Sequence, residues 1–222
     1  MIADITLDKS KTTLFKWALI LAYVTIFYNL LEGVVSVFFG LEDETLSLFG
    51  FGVDSFVEVI SGIGIWHMLK RINEKGEDNR DQFEKTALKI TGSAFYILVA
   101  GLTATSVYNI AIGHKPETTF WGVVISLISI ITMSVLINYK LQVGRALNSK
   151  ALIADANCTK TCLYLSIALL AASIGYEITG IGGIDSAGAL AIAWFSFKEG
   201  KEAFEKAKSG KHCGCEDDDC HS

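Results

Sequence analysis

Two pairs of metal-capable side chains occur at the same spacing: Asp54 with Glu58, and Cys158 with Cys162. Residues four apart share one face of a helix, about 6 Å from each other along its axis. Two carboxylates that close repel, and neither ionises easily in apolar surroundings. A proton, a cation or a water-filled cavity has to compensate. Two carboxylates and two thiolates also match the coordination number and ligand chemistry of a tetrahedral site for zinc or a related ion. Buried cysteines alone are often small packing residues. Together with the acidic pair they point to a metal or proton pathway.

A second donor cluster closes the sequence, with His212, Cys213, Cys215, Cys220 and His221 around the acidic run Glu216 to Asp219. Thiolate and imidazole suit zinc, cadmium, Cu(I) and other soft or borderline ions. Free thiols there fit a reducing compartment, so a disulfide framework is not expected. The plain alternative is a solvated acidic tail with incidental cysteines.

The elements that must position these residues are membrane helices. Of 222 residues, 51% are hydrophobic, the mean hydropathy is +0.41, and Pro116 is the one proline. A soluble domain of this length carries more charge and more turn-formers. The charges fall between long apolar blocks, and a helix that crosses a bilayer needs roughly 20 apolar residues. Alternation at period two, the mark of a membrane barrel, is absent, so the fold class is all-α. The sequence predicts a six-helix transmembrane bundle with spans at 17–40, 45–69, 86–112, 118–144, 151–176 and 181–198. Residues 1–16 are polar, and the first apolar block is too long for a cleavable signal.

Basic residues give the direction, because they favour cytoplasmic loops. Lys9, Lys11 and Lys16 precede the first span, and Lys70, Arg71, Lys75, Arg80, Lys85 and Lys89 surround the second-to-third loop. Lys140, Arg145 and Lys150 mark a short basic turn after the fourth span, and Lys198, Lys201, Lys206, Lys208 and Lys211 follow the sixth. The opposite side has Lys115. Both termini are therefore expected in the cytoplasm of a multi-pass inner (plasma) membrane protein. No nucleotide-binding motif or cofactor signature is visible, and neither ATP drive nor a nucleic-acid partner is expected.

Ionisable groups at membrane depth usually face a cavity or a partner. The candidates are Glu32, Asp54, Glu58, Asp155, Lys160 and Asp185. The second and fifth spans are antiparallel, and a rise of about 1.5 Å per residue sets Asp54 level with Cys162 and Glu58 level with Cys158. Asp155 lies one turn nearer the cytoplasm on the face of Cys158, where it lines the approach, relays protons or caps the span. Glu32 and Asp185 fall nearer the outside, lining an exit or bonding neighbouring helices. Lys160 is about 200° around the helix from Cys158 and is expected to point away from the pair.

These residues also carry a family resemblance. Leu46 to Gly50 leading into Gly52-Val53-Asp54-Ser55-Phe56-Val57-Glu58 resembles the second span of the cation diffusion facilitators, whose two acidic residues four apart bind metal. Ser149 to Cys158 is similar to the start of that family's fifth span, and Gly183-Ile184-Asp185-Ser186-Ala187-Gly188 to the start of its sixth. The resemblance implies a metal-ion transporter rather than an enzyme, with residues 17–205 as the six-helix transport domain, 1–16 as a cytoplasmic N-terminus and 206–222 as a Cys/His/Asp-rich tail. It implies Asp54, Glu58, Cys158 and Cys162 as metal ligands at mid-membrane, and export by proton antiport. The family's fifth span presents His-X-X-X-Asp or Asp-X-X-X-Asp where this chain has Cys158 and Cys162, a change that favours softer ions. Zinc is the family's usual ion, with cadmium, mercury, Cu(I) and iron open because of the thiols. Most members continue into an αβ cytoplasmic domain that helps them dimerise. A homodimer of this chain, which has the short tail at that point, would form through its spans. The competing readings are a membrane thiol oxidoreductase using Cys158 and Cys162, for which regular helix geometry is poor, and a membrane metal sensor or store built on the tail.

Overall fold

The computed structural model describes residues 2–75, 82–147 and 149–209; within them the side chains of 2–12, 72, 73, 75, 84, 150, 151, 154, 158 and 209 lie outside the description. The described residues form α1 (Ile2–Glu42), α2 (Leu46–Lys75), α3 (Gln82–Ile112), α4 (Phe120–Ala146), α5 (Lys150–Thr179) and α6 (Gly183–Ser209), with no strand among them. Long apolar runs without proline allow each helix to satisfy its own backbone, which is the requirement for crossing lipid. The breaks fall where the sequence supplies left-handed backbone or a cap. Gly113 and Gly180 take φ of +69° and +64° after α3 and α5, a region open to glycine because it lacks Cβ. Ser149 caps α5 by accepting from the Leu152 amide.

Five stretches are long and apolar enough to span a membrane: Thr13–Glu42, Leu46–Arg71, Lys85–Ile112, Phe120–Ala146 and Asp155–Thr179. The charged residues from Lys198 onward lower the hydropathy of α6, yet α6 lies alongside α3 for most of its length. Gly92 of α3 is close to Phe204, and Gly200 of α6 is close to Phe95, where an added Cβ would come within 2.8 and 3.1 Å of the neighbour. Further along, Val99 and Thr103 share a groove with Leu190, Ala193 and Trp194. The pairing is antiparallel and carries α6 across with α3.

The same kind of cross-pairing orders the rest of the bundle. In α1 and α2, Gly40 sits against the Phe49 amide and Gly52 against the Val37 amide, where an added Cβ would approach to 2.5 and 2.7 Å. Small residues that let backbones approach this closely are what membrane helices use in place of a hydrophobic driving force. The α4 and α5 helices run antiparallel from Gly122 beside Ser173 to Gly144 beside Ile153. Successive helices alternate in direction, so the start of α1 and the end of α6 lie at one end of the bundle, which carries the basic residues.

At the opposite end, two carboxylates each hold the start of a neighbouring helix. Asp185 of α6 accepts from the Leu46 and Ser47 amides at 2.8 and 3.2 Å and from the Ser47 hydroxyl. Glu177 of α5 accepts from the Thr119 amide at 2.6 Å and the Thr118 hydroxyl at 2.9 Å. Helix N-termini leave amide donors unpaired and favour negative charge, so both carboxylates sit where the backbone demands them. The Glu117 amide donates to the Asp43 carbonyl at 3.0 Å, and the Tyr176 hydroxyl to that of Pro116 at 2.5 Å. The loops at this end form one hydrogen-bonded layer.

The structure shortens one predicted loop. Lys140 to Lys150 reads as a basic turn, but α4 continues through Ala146, and Lys140 is wholly buried against α5. A paired lysine belongs inside a span where an unpaired one belongs in a loop.

Candidate metal site

The acidic pair of α2 faces the bundle interior. Asp54 is buried, and its Oδ1 accepts from the Ser196 hydroxyl of α6 at 2.7 Å. Glu58, one turn nearer the basic end, accepts from the Asn29 amide group of α1 at 2.9 Å through Oε2. Its Oε1 accepts from the thiol of Cys162, which is buried on α5. The structure thus brings Glu58 of α2 and Cys162 of α5 into direct contact, with Asp54 turned to α6. Cys158 is in α5, but its side chain lies outside the described residues, as do His212, Cys213, Cys215, Cys220 and His221.

The register differs from the depth expected from the sequence by one turn: Glu58, rather than Asp54, meets Cys162. Residues four apart on a helix are separated by about 6 Å of rise, which is one turn.

The remaining candidates divide by location. Glu32 of α1 is buried and accepts from the Tyr28 hydroxyl at 2.8 Å and the Ser55 hydroxyl at 3.1 Å, which ties α1 to α2 beside Asp54. Asp185 is fully engaged in capping α2, far from Glu58 along the bundle. Asp155 pairs with Lys140 at 2.9 Å, and Lys140 also donates to the Thr159 hydroxyl at 2.9 Å. Lys160, two residues before Cys162, is partly buried.

A cavity with about 70 Å³ open to water begins at Glu58 and Cys162 and extends toward the basic end, past Asp155 and Glu199 to Lys206. On the other side of Glu58, past the buried Asp54 and Glu32, lies an apolar cluster that includes Leu48, Phe51, Leu102, Ile125, Leu165 and Leu169. Among the described residues, no three His, Cys, Asp or Glu side chains are gathered closely enough to hold a metal ion directly. In this conformation Asp54 is turned to Ser196 and Glu58 to Asn29 and Cys162.

Asn29, Lys140 and Glu199 are site residues that the sequence reading passed over. Asn29 carries no charge to mark it in an apolar span. Lys140 and Glu199 lie at span ends, where a charge normally belongs in water. The usable signals were the polar Asn29 amid apolar neighbours and the presence of both a lysine and an aspartate close to the α4–α5 turn.

The chain is thus a helical membrane bundle with buried carboxylates and a thiol at the end of a one-sided cavity. The transmembrane domain of the cation efflux family matches residues 18–209, and the chain belongs to that family, the cation diffusion facilitators. It is also similar to an uncharacterized transporter of Methanocaldococcus jannaschii, 28% identical over 132 residues, which are 58% of this chain and 47% of that protein. The chain spans about half the length of the curated relative it matches.

Proposed function

We propose that the chain is a secondary transporter that exports a divalent or soft transition-metal ion, zinc or a thiophilic neighbour such as cadmium, in exchange for protons. The carrying observation is the cavity that reaches Glu58 and Cys162 from the basic end and stops at an apolar layer. With the basic end in the cytoplasm, as the lysine bias indicates, this is the shape of a carrier open to the inside. Metal would enter from that side, and Asp54 would leave Ser196 to join Glu58, Cys162 and Cys158 as ligands. Thiols and protonated carboxyls release protons when a metal displaces them, which gives one constellation both halves of an antiport. Rocking of helices around the site would then open the far end. The tail donors from His212 to His221 would deliver or sense metal on the cytoplasmic side.

The test is zinc and cadmium flux in proteoliposomes under an imposed pH gradient. Flux that accelerates with the gradient and is lost in Asp54→Ala supports proton-coupled export. Flux indifferent to both would sink it.

A further inference from the structure

The acids on the way to Glu58 and Cys162 are each matched by a lysine of the chain itself. Asp155 and Glu199 line the cavity between its mouth and Glu58. Asp155 of α5 meets the ammonium of Lys140 of α4 at 2.9 Å, and the Lys140 side chain is wholly enclosed. Glu199 of α6 has Lys206 two turns along its own helix, a cavity-lining residue whose positive charge acts on it. Lys206 is held there by Glu202 at 2.8 Å. Glu58, at the end of the route, accepts instead from neutral donors, the Asn29 amide group and the Cys162 thiol.

Carboxylates without a fixed cation would make this recess a trap for the wrong ions. Magnesium, calcium and manganese are held by carboxylate, carbonyl and water oxygens and need no thiol. Lodged at Asp155 or Glu199, such an ion would stand in the approach and repel the next cation. Both acids face open space, so they are within reach of an ion once the lysine is gone. With the lysines present, an arriving hard cation has to displace an ammonium that the fold has already put in place. The enclosed Lys140 has no water to move into, because a buried charge separated from its partner stays desolvated.

We propose that Lys140 and Lys206 are specificity-determining residues of the transport route, serving as built-in counter-ions of Asp155 and Glu199 that keep hard divalent cations out of the approach. This selectivity rests on the transport reading and adds a layer to it. The lysines deny hard ions a resting place on the way in, and the thiols then select for softness.

Mn(II) is the probe, a hard cation whose free form is counted by its electron paramagnetic resonance signal, which broadens away on binding. Titrations of the full chain in detergent compare the wild type, Lys206→Met, Lys206→Arg and the double variant Lys206→Met with Glu199→Gln. The acidic tail is common to all four proteins and drops out of the differences. Mn(II) binding is expected to tighten by about tenfold in Lys206→Met, to fall back most of the way in the double variant, and to stay at the wild-type level in Lys206→Arg. Lys140→Met, read against Lys140→Met with Asp155→Leu, repeats the comparison at the enclosed pair. The Cd(II)–thiolate absorption that depends on Cys162 shows that each variant is folded. Equal Mn(II) affinity in wild type and Lys206→Met overturns the proposal, as does a gain that survives Glu199→Gln or appears equally in Lys206→Arg. A wild-type Cd(II) absorption that is indifferent to Cys162→Ser overturns the transport site instead, whatever the Mn(II) series shows.

Discussion

Replacing Lys140 by methionine removes a charge that the bundle has wholly enclosed while keeping most of its volume. The Lys140 side chain is 0% exposed, and its ammonium meets Asp155 at 2.9 Å and the Thr159 hydroxyl at 2.9 Å. The variant leaves Asp155 as a carboxylate, 9% exposed, with its cation gone. Removing one partner of a buried pair typically costs about 3–5 kcal/mol, because the surviving charge stays desolvated. At about 2–4 °C per kcal/mol for a chain of this length, Tm falls by roughly 6–20 °C. Replacing both partners with apolar groups is usually close to neutral, so Lys140→Met combined with Asp155→Leu recovers most of the loss. Thermal melts of the detergent-solubilised protein, followed by the fluorescence of its four tryptophans, measure all four corners of the cycle. With the double variant close to neutral, the expected coupling is at least about 3 kcal/mol. A single variant that melts within about 2 °C of wild type, or a double variant no better than the singles, refutes the enclosed ion pair.

Gly52→Ala is expected to pry α1 from α2, since its Cβ would stand 2.7 Å from the Val37 amide nitrogen and 2.8 Å from Ser36 Cβ. Overpacking of this kind costs about 1–3 kcal/mol, and the melt should move down while Gly101→Ala, with nothing within 4 Å, leaves it unchanged. Asp43, in the turn after α1, is held above the ordinary carboxylate range by burial and then by Glu42, Glu117 and Glu177. A carboxyl with its folded pKa raised adds stability that is full below its unfolded pKa and fades as pH rises through the folded one. Asp43→Asn should therefore exceed wild type in Tm at alkaline pH, with the gap closing on acidification. Melts across that range check it, and a gap that widens toward acid contradicts the assigned sign.

Much of this architecture is legible in the sequence, because lipid enforces simple rules. Apolar block length gave the helices and the lysine bias gave their alternation. The antiparallel second and fifth spans set Asp54 level with Cys162 and Glu58 level with Cys158, one turn from the Glu58–Cys162 contact the structure has. The partners of the predicted residues were harder to see. A lysine four or five residues from a span end reads as a loop residue until a facing aspartate is known, and nothing in the α4 sequence says that Lys140 turns toward Asp155. Asn29 is silent because recognising it requires the rotation of α1 against α2, which the glycines at Gly33, Gly40 and Gly52 set through contacts at backbone distance. Glu199 follows Lys198 in a charged run that resembles a solvated face. It is drawn inward because α6 follows α3 across the bundle. Asp185 was legible as a buried acid, but its work in capping α2 depends on loop geometry that spacing does not encode.

Whether the metal is held between α2 and α5 is read from its coordination shell. X-ray absorption at the cadmium edge, on protein with Cys213, Cys215 and Cys220 changed to serine, leaves Cys158 and Cys162 as the sulfur donors. The expected result is a mixed shell of two sulfurs with oxygens from Asp54 and Glu58, falling to one sulfur in Cys162→Ser and losing affinity in Glu58→Gln. An oxygen-only shell, or one that is identical in Cys162→Ser, contradicts a metal site between α2 and α5.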